Sequence, residues 1–215
     1  MFVLNETPSI ANHFVAELRD KIVQKNRSQF RQNLVRLGEV LAYELSRSLD
    51  YNATDVATPL GTAKEDLLMD APVLITIMRA GIPFFEGFLN VFNQSDCGFI
   101  GAYRSPEAND SSFEINMEYV ATANINDKDL ILIDPMLATG QSMVTSLKAL
   151  LKYGQPKHIH VAAAFAAPEG IKYLEEHIEL PHSFWFAAVD EKLNHKAYIV
   201  PGLGDAGDLS FGNKI

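Results

Sequence analysis

Leu130-Ile-Leu-Ile-Asp-Pro-Met-Leu-Ala-Thr-Gly-Gln-Ser142 is the stretch on which the fold of this chain turns. Its four leading apolar residues, closed by Asp134 and Pro135, describe a short strand buried on both faces. Ala138–Ser142 then leads into a helix predicted over Ser142–Tyr153. A strand, a tight loop and a helix start make a ready site for an anion. The first helical N–H groups lack intrahelical partners and carry partial positive charge. Thr139 and Ser142 add hydroxyl donors, and Gly140 permits close backbone approach. The same residues read equally well as a helix capped by Thr139 or Ser142, with Asp134 as a turn residue.

Working outward, the same alternation continues. Apolar runs at Val73–Met78, Gly98–Tyr103, Ile159–Phe165 and Phe184–Val189 are separated by helical patterns at Phe84–Phe92 and Pro168–His177. Strands of this kind spaced by helices specify an α/β fold with a central, mainly parallel sheet flanked by helices. Ligands of such sheets bind beyond the carboxyl ends of the strands, so the residues after each run are the ones to inspect. Residues 1–50 read as N-terminal helices, with Phe30, Leu34, Leu37, Leu41 and Leu45 at helical spacing. Asn52–Asp70, broken by Pro59 and Gly61, reads as a connection with at most a short strand. Phe113, Ile115, Met117 and Tyr119 alternate with polar residues, which predicts an antiparallel arm within 104–124 projecting from the core. The helix Phe84–Phe92 is apolar nearly all round, as a subunit interface or a deep core helix would be.

Composition narrows the classes. A chain of 215 residues with 47% hydrophobic content suits a single domain, 1–215, with a full core. A net charge of −9 lacks the basic footprint of a non-specific nucleic-acid binder. The single cysteine, Cys97, permits neither an internal disulfide nor a cysteine metal cage. Met1–Ile10 has no basic start followed by an apolar run, and no stretch approaches the ~18 apolar residues of a membrane helix. A soluble cytoplasmic protein is the expectation. There is no Gly-x-x-x-x-Gly-Lys-Ser/Thr loop and no Gly-x-Ser-x-Gly nucleophile turn. Gly202-Leu-Gly204-Asp-Ala-Gly207 spells a dinucleotide-binding pattern, but eight residues after it leave no room for the helix and distal acid that pattern needs.

Three more segments stand at instructive places. Ile77-Met-Arg-Ala-Gly81 and Gly101-Ala-Tyr-Arg104 each follow a predicted strand, and Tyr198-Ile-Val-Pro-Gly-Leu-Gly-Asp-Ala-Gly-Asp208 lies near the C-terminus. Either arginine alone would read as a surface ion-pair partner. Together with Asp134-Pro-Met-Leu-Ala-Thr-Gly-x-Ser142, in this order, they resemble the uracil phosphoribosyltransferases, a branch of the type I phosphoribosyltransferases. Weaker similarity runs back through Asn12–Leu49.

The resemblance implies transfer of a phosphoribosyl group from 5-phosphoribosyl-1-pyrophosphate (PRPP) to N1 of uracil, giving UMP and pyrophosphate in pyrimidine salvage. It implies that Met136, Leu137, Ala138, Thr139, Gly140, Gln141 and Ser142 wrap the 5′-phosphate. Asp134 faces the ribose hydroxyls, beside the Pro135 that replaces the second acid of the usual pair. Arg79 and Arg104 serve the pyrophosphate, suiting the planar fork of arginine to phosphate oxygens. Residues 190–215 form a hood in which Ile199 and the Gly204, Asp205 and Ala206 backbone hold uracil. Asp205 also serves PRPP through Mg²⁺ and its waters. A homodimer or higher homo-oligomer is implied, and GTP as an activator in some members. The 104–124 arm is placed to close over the site. Departures from the common pattern are Gln141 for a second glycine, Leu209 for a basic residue, and Pro83 and Phe84 for small ones. Gln141 would be strained if its φ were positive. Rival readings are a nucleotide-sensing RNA-binding regulator, which the charge of −9 disfavours, and a transferase for another base.

Overall fold

A computed structural model describes residues 1–104 and 115–213, of which 102–104 and 115–118 through their backbone. The elements run β1 (Phe2–Val3), α1 (Ala11–Arg19), α2 (Arg27–Ser46), β2 (Tyr51–Thr58), β3 (Gly61–Leu68), β4 (Val73–Met78), α3 (Gly81–Val91), β5 (Cys97–Arg104), β6 (Ile115–Ala121) and β7 (Asp129–Ile133). They continue through β8 (Met136–Leu137), α4 (Gln141–Leu150), β9 (His158–Ala166), α5 (Pro168–His177), β10 (His182–Val189), β11 (Lys192–Leu193), β12 (Ile199–Val200) and α6 (Ala206–Phe211).

The main sheet has the order β1-β10-β9-β7-β4-β5-β6, with β8 beside β9. Every pairing in it is parallel except β5 with β6. From β4 the chain steps to β5 on one side, and from β7 it steps to β9 and β10 on the other. The direction of winding therefore reverses between β4 and β7, and the crevice beyond their carboxyl ends is where such a sheet binds a ligand.

Alternation along the strands sorts the core. Ile131 and Ile133 face a cluster built with Leu34, Leu37, Phe84 and Phe88, so α1, α2 and α3 cover that face. Leu130 and Leu132 face the other, with Leu147, Leu150 and Leu174 of α4 and α5. Phe84, Phe85, Phe88 and Phe92 are all within 6% of full burial in this one chain, so the deep-core reading of α3 holds. The helices α2 and α3 touch through backbone. A Cβ on Gly38 would stand 2.3 Å from the Phe84 carbonyl oxygen, and one on Gly87 2.1 Å from that of Val35.

β2 and β3 form a two-stranded antiparallel sheet of their own, in register from Tyr51 against Leu68 to Thr58 against Gly61. The segment read as a polar connection is thus a hairpin arm. Its charges explain the miss: Asp55 opposes Lys64, and Thr54 opposes Glu65, leaving no apolar face for a period-2 signal. The antiparallel strand predicted at Phe113–Tyr119 is represented by β6, which lies flat on the sheet edge beside β5. Residues 105–114 of that predicted arm lie outside the described residues. Among the described residues no helix is long and apolar enough to cross a membrane.

Candidate active site

Every segment assigned to the site in the sequence stands at or after the carboxyl end of a strand. Arg79 follows β4, Asp134 follows β7, the residues of the glycine-rich tail follow β10, and Arg104 ends β5. For Arg104 the backbone position is what is described.

The loop after β7 is built from backbone bonds. Asp134 Oδ1 accepts from the Met136 N–H at 3.2 Å. The Pro135 carbonyl accepts from Phe165 N–H, and that of Leu137 from Ala167 N–H, both at 2.9 Å. These bonds lay Met136–Leu137 along β9 and turn the following residues over the sheet edge. Neither Thr139 nor Ser142 caps α4. The cap position is Gly140, with φ +80° and no side-chain cap bond, so the first N–H groups of the helix are left to a ligand or to solvent. This overturns the capped-helix reading. It also removes the concern over Gln141, because the left-handed residue is Gly140 and Gln141 begins the helix. The loop rests directly on α5: a Cβ on Gly170 would stand 2.3 Å from the Ala138 carbonyl oxygen.

The peptide between Met78 and Arg79 is cis, and Gly81 opens α3 with its Cα against Thr76 Oγ1. Arg79 reaches the C-terminal tail. Its Nη2 donates to Asp208 Oδ1 at 2.9 Å and to the Gly212 carbonyl at 2.7 Å, while its Nε is buried without a hydrogen-bond partner. Asp208 was not singled out in the sequence. It sits in the recognised glycine-rich stretch, but its partner lies 129 positions away, beyond any local pattern.

The tail returns to the sheet at Arg79. It leaves β10 at Asp190, forms β11 and β12, passes a cis Val200–Pro201 bond and the left-handed Gly202 and Gly204, and enters α6. Asp205 caps α6 by accepting from Asp208 N–H at 2.9 Å. A Cβ on Gly207 would lie 3.7 Å from Arg79 Nε and 3.8 Å from Ala80 Cβ. The tail therefore spans from the end of β10 to the end of β4, across β9 and β7. At ~4.8 Å per strand that is about 14 Å. The segment carrying Thr139, after β7, and the tail carrying Ala206, tied to Arg79 after β4, both stand at the carboxyl ends of the sheet's strands. Leu209 lines a cleft of about 430 Å³ with Lys25 and Arg27, so cations stand beside the position where a basic residue is common. Among the described residues no group of three or more His, Cys, Asp or Glu could hold a metal ion.

Comparison with known proteins places the chain in a family. The family model for uracil phosphoribosyltransferase matches residues 5–213. A protein of Porphyromonas gingivalis named uracil phosphoribosyltransferase is 46% identical over 207 residues, covering 96% of this chain and 95% of that one. A protein of the same name from Thermococcus gammatolerans is 38% identical over 216 residues, with 99% and 93% covered. A solved protein of Aquifex aeolicus superposes with a TM-score of 0.85 at 32% identity, covering 97% of both chains. A hypoxanthine-guanine phosphoribosyltransferase of Bacillus anthracis shares the fold alone, with a TM-score of 0.51 and 12% identity over 76% of this chain and 82% of that one.

Proposed function

The chain belongs to the uracil phosphoribosyltransferase family and joins uracil to PRPP, giving UMP and pyrophosphate, and we propose that its residues divide that work among the four loops described above. The reading is carried by one observation. The tail that leaves β10 returns to Arg79 at the end of β4, on the far side of the strand ends that carry the Ala138–Ser142 loop.

In this reading the α4 N-terminus and the Ala138–Ser142 loop take the 5′-phosphate of PRPP, with Gly140 shaping the approach. Asp134, held at the end of β7 by its bond to Met136, faces the ribose hydroxyls. Uracil lies against Ile199 and the Gly204–Ala206 backbone. Peptide groups match its two carbonyls and its N–H, and a site built on such pairing rejects cytosine, whose amino group would face another donor. N1 of uracil attacks C1 of the ribose as the bond to the pyrophosphate oxygen breaks. Positive charge grows on the ring and negative charge on the leaving group. Arg79 meets the latter: Asp208 and Gly212 occupy its Nη2, which orients the fork and leaves Nη1 for a phosphate oxygen. Arg104, at the end of the neighbouring strand, is the second cation in this scheme. Holding the two substrates in line can supply ~7–11 kcal/mol of the barrier.

The side chains suit a Mg²⁺ carried on the substrate more than one caged by protein. Such an ion keeps several waters and uses few carboxylates plus substrate phosphates. Asp205, whose Oδ1 caps α6, would meet its waters through Oδ2. When bound, the ion supplies neutralisation of the diphosphate. A homo-oligomer is supported by the β2–β3 arm, largely exposed on both faces, since an isolated two-stranded hairpin is marginally stable in water.

The test is UMP formation from PRPP and Mg²⁺ with uracil, beside cytosine and hypoxanthine. Turnover of uracil alone is expected. Equal or greater turnover of another base would overturn the assignment of the tail.

A further inference from the structure

The tail is held by an ion pair of Arg19 with a buried carboxylate, Asp190, outside the residues assigned to the chemistry. Asp190 follows β10, and its side chain is 3% exposed. Arg19, the last residue of α1 and 171 positions away, grips it with two parallel bonds: Nη1 to Oδ2 at 2.9 Å and Nη2 to Oδ1 at 2.5 Å. The same Nη1 donates to the Gly202 carbonyl at 3.1 Å, and Asp190 Oδ2 accepts from the Gly202 N–H at 2.8 Å. Both backbone polar groups of Gly202 therefore end on this pair. Arg19 Cζ also lies 4.6 Å from the centroid of the Phe165 ring, so the cation is seated from a third side. Gln24 continues the contact. With its amide nitrogen turned toward the carbonyls, it donates to Leu203 at 2.8 Å and to Leu18 at 3.0 Å.

Gly202 sits between Ile199 and Gly204, with φ +56° and its Cα pressed on the Ile199 carbonyl. A peptide there is free to rotate unless something fixes it, because glycine accepts both signs of φ. We propose that Arg19 and Asp190 are positioning residues for base recognition: they set the tilt of the Gly202 peptide groups, and through them the hydrogen-bond pattern that Ile199 and Gly204–Ala206 offer the pyrimidine. This rests on the reading that those residues hold uracil. The planar fork is what the job requires. It satisfies both carboxylate oxygens and a carbonyl at once, which a lysine cannot do.

Steady-state kinetics with each substrate varied, together with melting temperatures, test this. In Arg19→Lys the charge stays and the fork is lost. The KM for uracil rises by up to about 100-fold, as for a misplacement near 1 Å. The KM for PRPP holds within about two-fold, since the phosphate loop hangs on β7 and β9, and discrimination against cytosine falls, since that rests on matched polar groups. Asp190→Asn shows the same split more strongly. Should it fail to fold, Gln24→Ala, at a half-exposed position, gives a smaller rise of the same kind. A merely structural pair would lower the melting temperature and leave KM unchanged or move both KM values together, and that result in folded Arg19→Lys overturns the proposal. Ala206→Pro separates this from failure of the underlying reading. It removes one N–H of the base site at the first position of α6, where proline is tolerated. If Ala206→Pro raises the uracil KM and Arg19→Lys does not, the pair is not a positioning device. If neither does, the tail does not bind the base.

Discussion

Gly170→Ala should cripple the enzyme even though the substitution favours a helix. Gly170 is the third residue of α5. On propensity alone, alanine there gains ~1 kcal/mol. The structure reverses the sign. The added Cβ would stand 2.3 Å from the Ala138 carbonyl oxygen and 3.1 Å from that of Leu137, where ordinary contact begins at 3.4 Å. Something must open by about 1 Å. The Leu137 carbonyl is bonded to Ala167 N–H and cannot retreat without breaking β8 from β9, so the strain falls on Ala138–Gly140. Overpacking of this kind costs ~1–3 kcal/mol, which exceeds or cancels the propensity gain. A 1 Å displacement of a substrate cradle costs ~10²-fold in rate. Initial rates of UMP formation against PRPP at saturating uracil should show kcat/KM for PRPP down by about that factor, with an unchanged KM for uracil. Gly61→Ala, with nothing within 4 Å of its Cβ, serves as the control and should behave as wild type. A Gly170→Ala enzyme with a higher melting temperature and normal kcat/KM for PRPP would refute the assignment of the Ala138–Ser142 loop to the phosphate.

Further outcomes follow from the same structure. Arg79→Ala should lower kcat/KM by ~2–4 kcal/mol, as for loss of one preorganised donor, and near-normal kinetics would remove Arg79 from the mechanism. Gly87→Ala places a Cβ 2.1 Å from the Val35 carbonyl oxygen and 2.6 Å from Glu39 N, so the denaturation midpoint should fall by ~1–3 kcal/mol in stability despite better helix propensity. Burial, then the neighbouring His160, holds the His158 imidazole below its ordinary value of 6.5, with Asp129 pulling the other way. The unfolded chain thus binds more protons just below pH 6.5, and this residue's share of stability is present above that pH and lost as pH falls through the window beneath it. His158→Gln should flatten the decline of urea midpoints from pH 7 to 5, and parallel curves would exclude this source.

Much of this architecture was legible because it is written locally. The strand Val73–Met78 and the helix Pro168–His177 emerge with the same limits from pattern and from structure, the one preceded by Pro72 and the other opened by Pro168. Asp134, Arg79 and Gly140 stand at strand and helix ends, among the positions that the strand-end rule marks for inspection. The hairpin at 51–68 was hidden because its strands carry opposed charges rather than an apolar stripe. Asp190 could have been found: it directly follows the Phe184–Val189 run, among the positions the strand-end rule marks. Its partner Arg19 could not, because a fork that closes across 171 residues leaves no trace in spacing. Asp208 is the same case, tied to Arg79 across 129 positions.

The contact of Gly38 with Gly87 sets the distance between α2 and α3 by main chain alone. No rotamer change can loosen it, and no larger residue can enter without wedging the pair apart. Since α3 starts two residues after Arg79, the crossing also helps fix where that residue stands. A substitution that wedges the two helices apart would therefore be felt at Arg79 as well as in the core.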